Sequence, residues 1–301
     1  MLVCERCHKL IDSEDTDYTA EQLLKMKKEH EQRIANVATI KPDLQSEIVI
    51  FNANIANRAI KISDYAAKSA IIPEHYPTRE NPINLSPDLS IFDNEENYWL
   101  TIATHLERQW LQYEPTIRDK HISLFAVAPQ PLLFKLGNLI NRNYNVEVRQ
   151  SQGCIDNWNW CCDKQTAKIE TQIVEAEDAL QEPIITFELT AKLSIDELRK
   201  EFGKGTIYRI TTESCSSEII KSWQDLQVAI NEYRNNLNAI REKYNNDVNV
   251  RIVPIAPVSV SIEAGRKTTK GDPQITIYDR NYITKDWSAA LTLNGKEYNH
   301  V

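Results

Sequence analysis

No apolar stretch in this chain approaches the ~20 residues that a membrane-spanning helix needs. The longest, residues 124–129 and 131–134, fall far short of it. Glycine is scarce, with seven in 301 residues, which excludes a Gly-rich low-complexity tract or a Gly-driven flexible linker. A surplus of positive charge is also missing. Lys and Arg number 35 against 43 Asp and Glu, for a net charge of −8, so a uniformly basic nucleic-acid coat is excluded, although a local basic pocket is not. The N-terminus, MLVCERCHKLID, carries charge too early for a signal peptide. The expected setting is cytoplasmic, with no membrane partner. Six cysteines, at 4, 7, 154, 161, 162 and 215, make no disulfide framework, because an acidic intracellular chain of this size keeps them reduced. What is present, 42% hydrophobic and 26% charged residues, is ordinary for a globular protein. The length implies two lobes and a short appendage.

Cys4 and Cys7 stand apart from the other cysteines. They form C-x2-C followed at once by His8, the spacing of a zinc knuckle, whose two sulfurs converge on one point. Tetrahedral zinc needs four ligands, and no second knuckle has the matching spacing. The site is therefore half built. Thr19 and Gln22 form a capping box for a helix over residues 20–34, with Leu23, Met26 and His30 on one face. The string LVCERCHKLIDSEDTDYTAEQLLKMKKEHEQRI resembles the C-terminal end of an HNH endonuclease module, a partial ββα-metal knuckle and helix. In that family His8 matches the His after the second cysteine, but the upstream catalytic His and the middle Asn have no counterpart here. Taken as it stands, the chain is expected to hold a nuclease remnant with His8 insufficient for catalysis. Preceded by the missing part, it would be a Mg²⁺-dependent nuclease acting on DNA.

Residues 48–57 begin as a strand (EIVIF) and turn helical through NANIANRAIKISDYAAKSA, and Pro73, Pro77, Pro82 and Pro87 then punctuate an irregular connector. Residues 94–113 read as an amphipathic helix with Trp99 and Trp110 as core anchors. The chain's organising feature is a long-period repeat. ISLFAVAPQPLLFKLG (122–137) is echoed by VRIVPIAPVSVSIEAG (250–265), so that Pro129 to Gly137 matches Pro257 to Gly265, 128 residues on. Each copy leads into a second strand, VEVRQ (146–150) or ITIYDR (275–280). Between the copies lie a strand over 184–193, a short helix over 195–202, a strand TIYRI over 206–210 and a long helix over 216–244. The alternation predicts two similar α/β lobes with mostly parallel sheets and right-handed crossovers.

In open α/β sheets, ligands sit beyond the carboxyl ends of the strands, where helix N-termini offer N–H groups to anions. That places Pro129, Gln130 and Pro131 of the first copy, and Pro257, Val258 and Ser259 of the second, at a candidate pocket. Arg149 and Gln150 end the strand after the first helix, and Tyr278, Asp279 and Arg280 end its equivalent. Arg266, after Gly265, is a further anion candidate where the first copy has Asn138. An arginine grips phosphate or stacks on a base, and a Gln or Asp can read a base edge. The prolines could equally only end strands, and the arginines could equally form surface ion pairs. Trp158 and Trp160 in IDNWNWCC sit at strand alternation and share a face, as base-stacking platforms or as core. Thr211 and Thr212 are hydroxyl candidates at another strand end, or a plain N-cap cluster.

Together, LFAVAPQPLLFKLG, NWNW and PIAPVSVSIEAGR…PQITIYDRN resemble a SAVED domain. The resemblance implies two fused Rossmann-like lobes of the kind found in CARF domains, sensing cyclic oligonucleotides in bacterial anti-phage (CBASS) signalling, in an HNH–SAVED arrangement. The expected organisation is an HNH remnant over 1–40, a connector over 41–94 and a SAVED domain over 95–301, with lobes of about 95–180 and 181–301. The expected activity is that of a sensor. A cyclic di- or trinucleotide would drive self-association and so control the attached nuclease. Two other readings stay open: an active endonuclease with its missing part, or a CARF-like enzyme that hydrolyses its own nucleotide.

Overall fold

The structure, a computed structural model, describes residues 8–9, 11, 18–39, 44–56, 58–87, 97–153, 157–161, 164–178, 181–244, 247–281 and 283–295. Cys4 and Cys7 lie outside the described residues. The capping box at Thr19 forms: Thr19 N donates to Gln22 Oε1 at 2.7 Å, and Gln22 N donates to Thr19 Oγ1 at 3.2 Å. The helix it starts, α1 (Ala20–Thr39), runs past residue 34. Of the expected face, Leu23 is half-buried while Met26 and His30 are exposed.

The first sheet has the order β2 (Tyr76–Pro77), β1 (Gln45–Asn52), β4 (His121–Val127), β5 (Asn145–Val148), and β3 (Ile83–Asn84) also pairs with β1. All its pairings are parallel. Strand β1 is buried from Ser46 to Asn52, as expected of a parallel strand covered on both faces. The segment read as a connector therefore supplies three strands of this sheet. The helix expected to follow β1 is confined to α2 (Asp64–Ile71), where Ser63 Oγ accepts from Ala66 N at 3.4 Å. Upstream, the chain turns on itself. Ile55 and Arg58 exchange backbone hydrogen bonds around Ala56, which takes a φ of 50°. Helix α3 (Tyr98–Ile117) buries Ile102, Leu106 and Trp110, while Trp99 is only partly buried.

The second sheet runs β11 (Trp287–Leu293), β10 (Gln274–Arg280), β9 (Asn249–Ile255), β7 (Ile184–Glu188), β8 (Ile207–Thr212), β6 (Ile169–Val174). Its four central strands are parallel, and the two edge strands are antiparallel. Helix α5 (Ile195–Phe202) matches its expected range. Helix α6 (Trp223–Tyr244) starts later than residue 216, because Asp225 N donates to Ser222 Oγ and Ser222 N to Asp225 Oδ2, both at 3.1 Å. This reciprocal cap fixes the first turn.

The lobes meet through the repeated helices, α4 (Gln130–Leu139) and α7 (Val258–Lys267). A Cβ built on Gly137 would lie 1.9 Å from Ile262 O, and one on Gly265 would lie 2.1 Å from Phe134 O. The contacts are reciprocal under the 128-residue offset, as a two-fold relation between the helices requires. Phe134 packs into the core cluster of the second lobe and Ile262 into that of the first, both fully buried. At each repeated glycine, one helix backbone lies against the other.

Candidate ligand site at the lobe seam

Strands β4 and β9 each lead into Ala-Pro, and each proline caps the helix that follows without a side-chain cap. Beyond these strand ends the two helix starts converge. Gln130, the first residue of α4, donates from Nε2 to Ala256 O at 2.9 Å and accepts from Ser261 Oγ. Gln150, just beyond β5, accepts from Ser259 N at 3.1 Å. Each lobe thus ties down the helix start of the other. Ser259 Oγ is buried and has no hydrogen-bond partner among the described residues, and the same holds for Asn52 Oδ1 at the end of β1. Two positive helix ends and unsatisfied polar atoms at one end of both sheets suit an anionic, hydrogen-bonding ligand. Within the second lobe, Lys192 Nζ donates to Thr211 Oγ1 and, at 2.5 Å, to Thr212 O.

A family profile described as "SMODS-associated and fused to various effectors sensor domain" (SAVED) matches residues 106–293. The chain belongs to the SAVED family. Its fold is similar to that of the Acinetobacter baumannii Cap4 SAVED/CARF-domain receptor. The TM-score is 0.53 for that receptor solved with the cyclic trinucleotide 3′3′3′-cAAA and 0.52 with 2′3′3′-cAAA, at 13% identity in each case. Both matches cover 83% of this chain and 52% of the receptor. The Moraxella osloensis Cap4 receptor matches with a TM-score of 0.51 at 13% identity, over 83% of this chain and 50% of the other. The chain therefore spans about half the length of these solved receptors. No curated protein shows a significant match. As expected from the repeat, the SAVED fold here is α/β with two parallel-cored sheets.

In this SAVED domain Pro129, Gln130, Pro131, Gln150, Pro257 and Ser259 come together at the seam. The other residues singled out from the sequence do not join them. Arg149 is buried just beyond β5, with Nη2 donating to Glu147 at 2.7 Å and Glu74 at 3.4 Å. Trp158 and Trp160 lie in a loop and do not share a face. Trp158 is 1% exposed with its ring edge-on to Phe125, whereas Trp160 lines a pocket beside Glu147. Arg266 sits at the far end of α7, where it donates to Ile140 O at 2.9 Å and Tyr144 O at 3.1 Å and pairs with buried Glu263. It closes the C-terminus of α4 across the seam, so its guanidinium is already engaged. Tyr278 packs edge-on to Phe202, and Arg280 pairs with Glu197 at 2.7 Å, both on the face of the second sheet that α5 covers. Thr211 and Thr212 are buried at the end of β8. His8 is exposed.

Sequence reasoning missed Asn52, Lys192 and Ser261. Asn52 closes a strand whose lobe assignment was not legible. Ser261 was visible only as one of a pair of serines in α7, and its partner Gln130 lies in the other lobe. Among the described residues no helix is long and apolar enough to cross a membrane.

Proposed function

We propose that this chain is a cyclic-oligonucleotide sensor that binds a cyclic di- or trinucleotide at the seam. The observation carrying this reading is the convergence of the α4 and α7 N-termini, tied together by Gln130 and Gln150 beyond the carboxyl ends of both sheets. The positive ends of the two helix dipoles favour phosphodiesters without a basic surface, which suits a net charge of −8. The cyclic trinucleotides bound by the similar Cap4 receptors make 3′3′3′-cAAA and 2′3′3′-cAAA the first compounds to try.

The proposed output is ligand-driven self-association in the cytoplasm, as part of anti-phage defence of the CBASS type. It acts on an N-terminal HNH nuclease whose C-terminal part supplies Cys4, Cys7 and His8. Zinc would be held only weakly by that two-sulfur half-site, and Mg²⁺ and DNA enter only with a complete nuclease. The 1–40, 41–94 and 95–301 organisation belongs to the same reading, with the strands of 41–94 joining the sensor.

The test is calorimetric titration of the purified chain with cyclic di- and trinucleotides, with scattering mass followed in parallel. Binding tighter than about 1 μM, roughly −8 kcal/mol, is expected for one of them. Gln130→Ala should weaken it at least tenfold, while Arg280→Ala, on the outer face, should leave it unchanged. If no cyclic nucleotide binds or raises the melting temperature at millimolar concentration, the sensor reading is wrong.

A further inference from the structure

The seam does not use a second cluster at the opposite, N-terminal end of the first sheet. His121 is the first residue of β4, Glu147 lies one strand away on β5, and His75 sits in the loop between α2 and β2. One candidate ligand atom from each lies within 4.8 Å of the others. The two imidazoles stack with centroids 3.9 Å apart and planes 5° apart. The cluster opens into a pocket of about 490 Å³ that Glu74, Trp160 and Trp223 also line.

We propose that His75, His121 and Glu147 form a site for a divalent transition metal, with zinc the first candidate. Two imidazoles and one carboxylate with an open pocket beside them are the donor set of a three-ligand zinc site that keeps its fourth position for water or an exogenous group. The supporting contacts fit this role. His121 Nδ1 lies 2.9 Å from Ser46 Oγ, which is 2.8 Å from Ser123 Oγ. This hydroxyl chain orients the ring and leaves Nε2 for a metal, as outer-shell partners of metal-bound histidines do. His75 Nδ1 is buried with no hydrogen-bond partner among the described residues, so a lone pair or N–H is enclosed there without compensation. Burial, with smaller effects from His75 and Arg149, pulls the His121 imidazole down to about 4. Burial and Arg149 lower His75 too, against an opposing effect of Glu74. Both rings are therefore in the neutral, ligating form at pH 7.

Metal entry requires two local changes. The stacked rings must splay, and His75, carried on a loop, is the one that tilts. Glu147 must also turn from Arg149 towards the ion. Arg149 keeps a partner when it does so, because its Nη2 also reaches Glu74. The exposed Glu74 carboxylate, at the mouth of the pocket, balances the added positive charge.

The experiment uses the full chain carrying Cys4→Ser and Cys7→Ser, so that the N-terminal thiols cannot contribute. After chelator dialysis it is titrated with Zn²⁺, and with Co²⁺ as a spectroscopic stand-in. One equivalent of Zn²⁺ should bind and raise the melting temperature, and Co²⁺ should show visible ligand-field bands without thiolate charge transfer. His75→Ala and Glu147→Gln should each weaken binding more than tenfold. Both positions lie outside the apolar cores, and a melt in metal-free buffer matching the parent checks their folding. No binding, or binding that both variants retain, would overturn the proposal. Neither result bears on the nucleotide sensor, which is tested without added metal.

Discussion

Replacing Gly137 by Ala places a methyl group where the α7 backbone already lies. In an exposed helix the same change stabilises by about 1 kcal/mol, because Ala is the better helix former. Here the new Cβ would fall 1.9 Å from Ile262 O and 2.9 Å from Arg266 N. Close C···O contacts between packed helices run about 3.3–3.6 Å, so the helices must separate locally by roughly 1.5 Å. Phe134 and Ile262 cross the seam at this point, both fully buried. A gap of 0.5–1 Å already forfeits about a quarter to a half of each dispersion contact. Overpacking of a tight core costs about 1–3 kcal/mol, occasionally more. The clash is with backbone, which cannot rotate away, so the upper end applies. With the propensity gain subtracted, the net loss is about 2 kcal/mol, or roughly 4–8 °C at about 2–4 °C per kcal/mol. Gly265→Ala, 2.1 Å from Phe134 O, should lose a similar amount. The double variant should lose less than the sum, because helices already parted accept the second methyl more easily. Gly271→Ala is the control, with its nearest neighbour at 3.8 Å. Thermal and denaturant melts of the parent and the four variants decide the matter. A rise in melting temperature for Gly137→Ala or Gly265→Ala would refute the close-crossing argument.

Arg266→Ala should destabilise by about 3–5 kcal/mol in urea titrations, because it leaves Glu263 buried and unpaired; adding Glu263→Gln should recover part of the loss. Trp110→Ala should cost about 3–5 kcal/mol without altering ligand affinity, since the ring is 3% exposed within the α3 core. Burial would raise the Asp225 carboxyl, but the Ala167, Thr166 and Lys221 N–H groups and the Ser222 hydroxyl outweigh it and hold the group below the ordinary carboxylate range. A depressed carboxylate contributes stability above the unfolded pKa of ~4 and loses it as pH falls through the folded value. Melting temperatures measured from pH 6 to 3 should therefore drop less steeply for Asp225→Asn than for the parent, from a lower starting point.

The lobe plan was legible because the crossing imposes its own residues. Proline is tolerated where a helix begins and glycine where two backbones touch, so Pro129–Gly137 and Pro257–Gly265 repeat for a steric reason. Partners drawn from the other lobe were not legible. Arg149 and Arg266 look alike in sequence, as cations at element ends, yet Arg149 answers two glutamates and Arg266 answers carbonyls more than 120 positions away. Trp158 and Trp160 show strand alternation, but their loop sends one ring under Phe125 and the other towards Glu147. His75, His121 and Glu147 share no spacing at all. Only the parallel order of β1, β4 and β5, with the α2–β2 loop above, brings them to one place.

Fusing the two lobes into one chain removes an ambiguity that a homodimer could not escape. Two identical halves would offer a ring-shaped ligand two indistinguishable poses, and any outer surface would occur twice. Here equivalent positions at the helix starts differ: Gln130 stands where the other lobe has Val258. A ligand at the proposed seam site would be met by two unlike half-sites and so would acquire a preferred orientation. The molecule also acquires a head and a tail. Contact between the outer face of one lobe and the opposite face of the next chain would be heterologous, and such contacts propagate into filaments unless their rotation closes a ring.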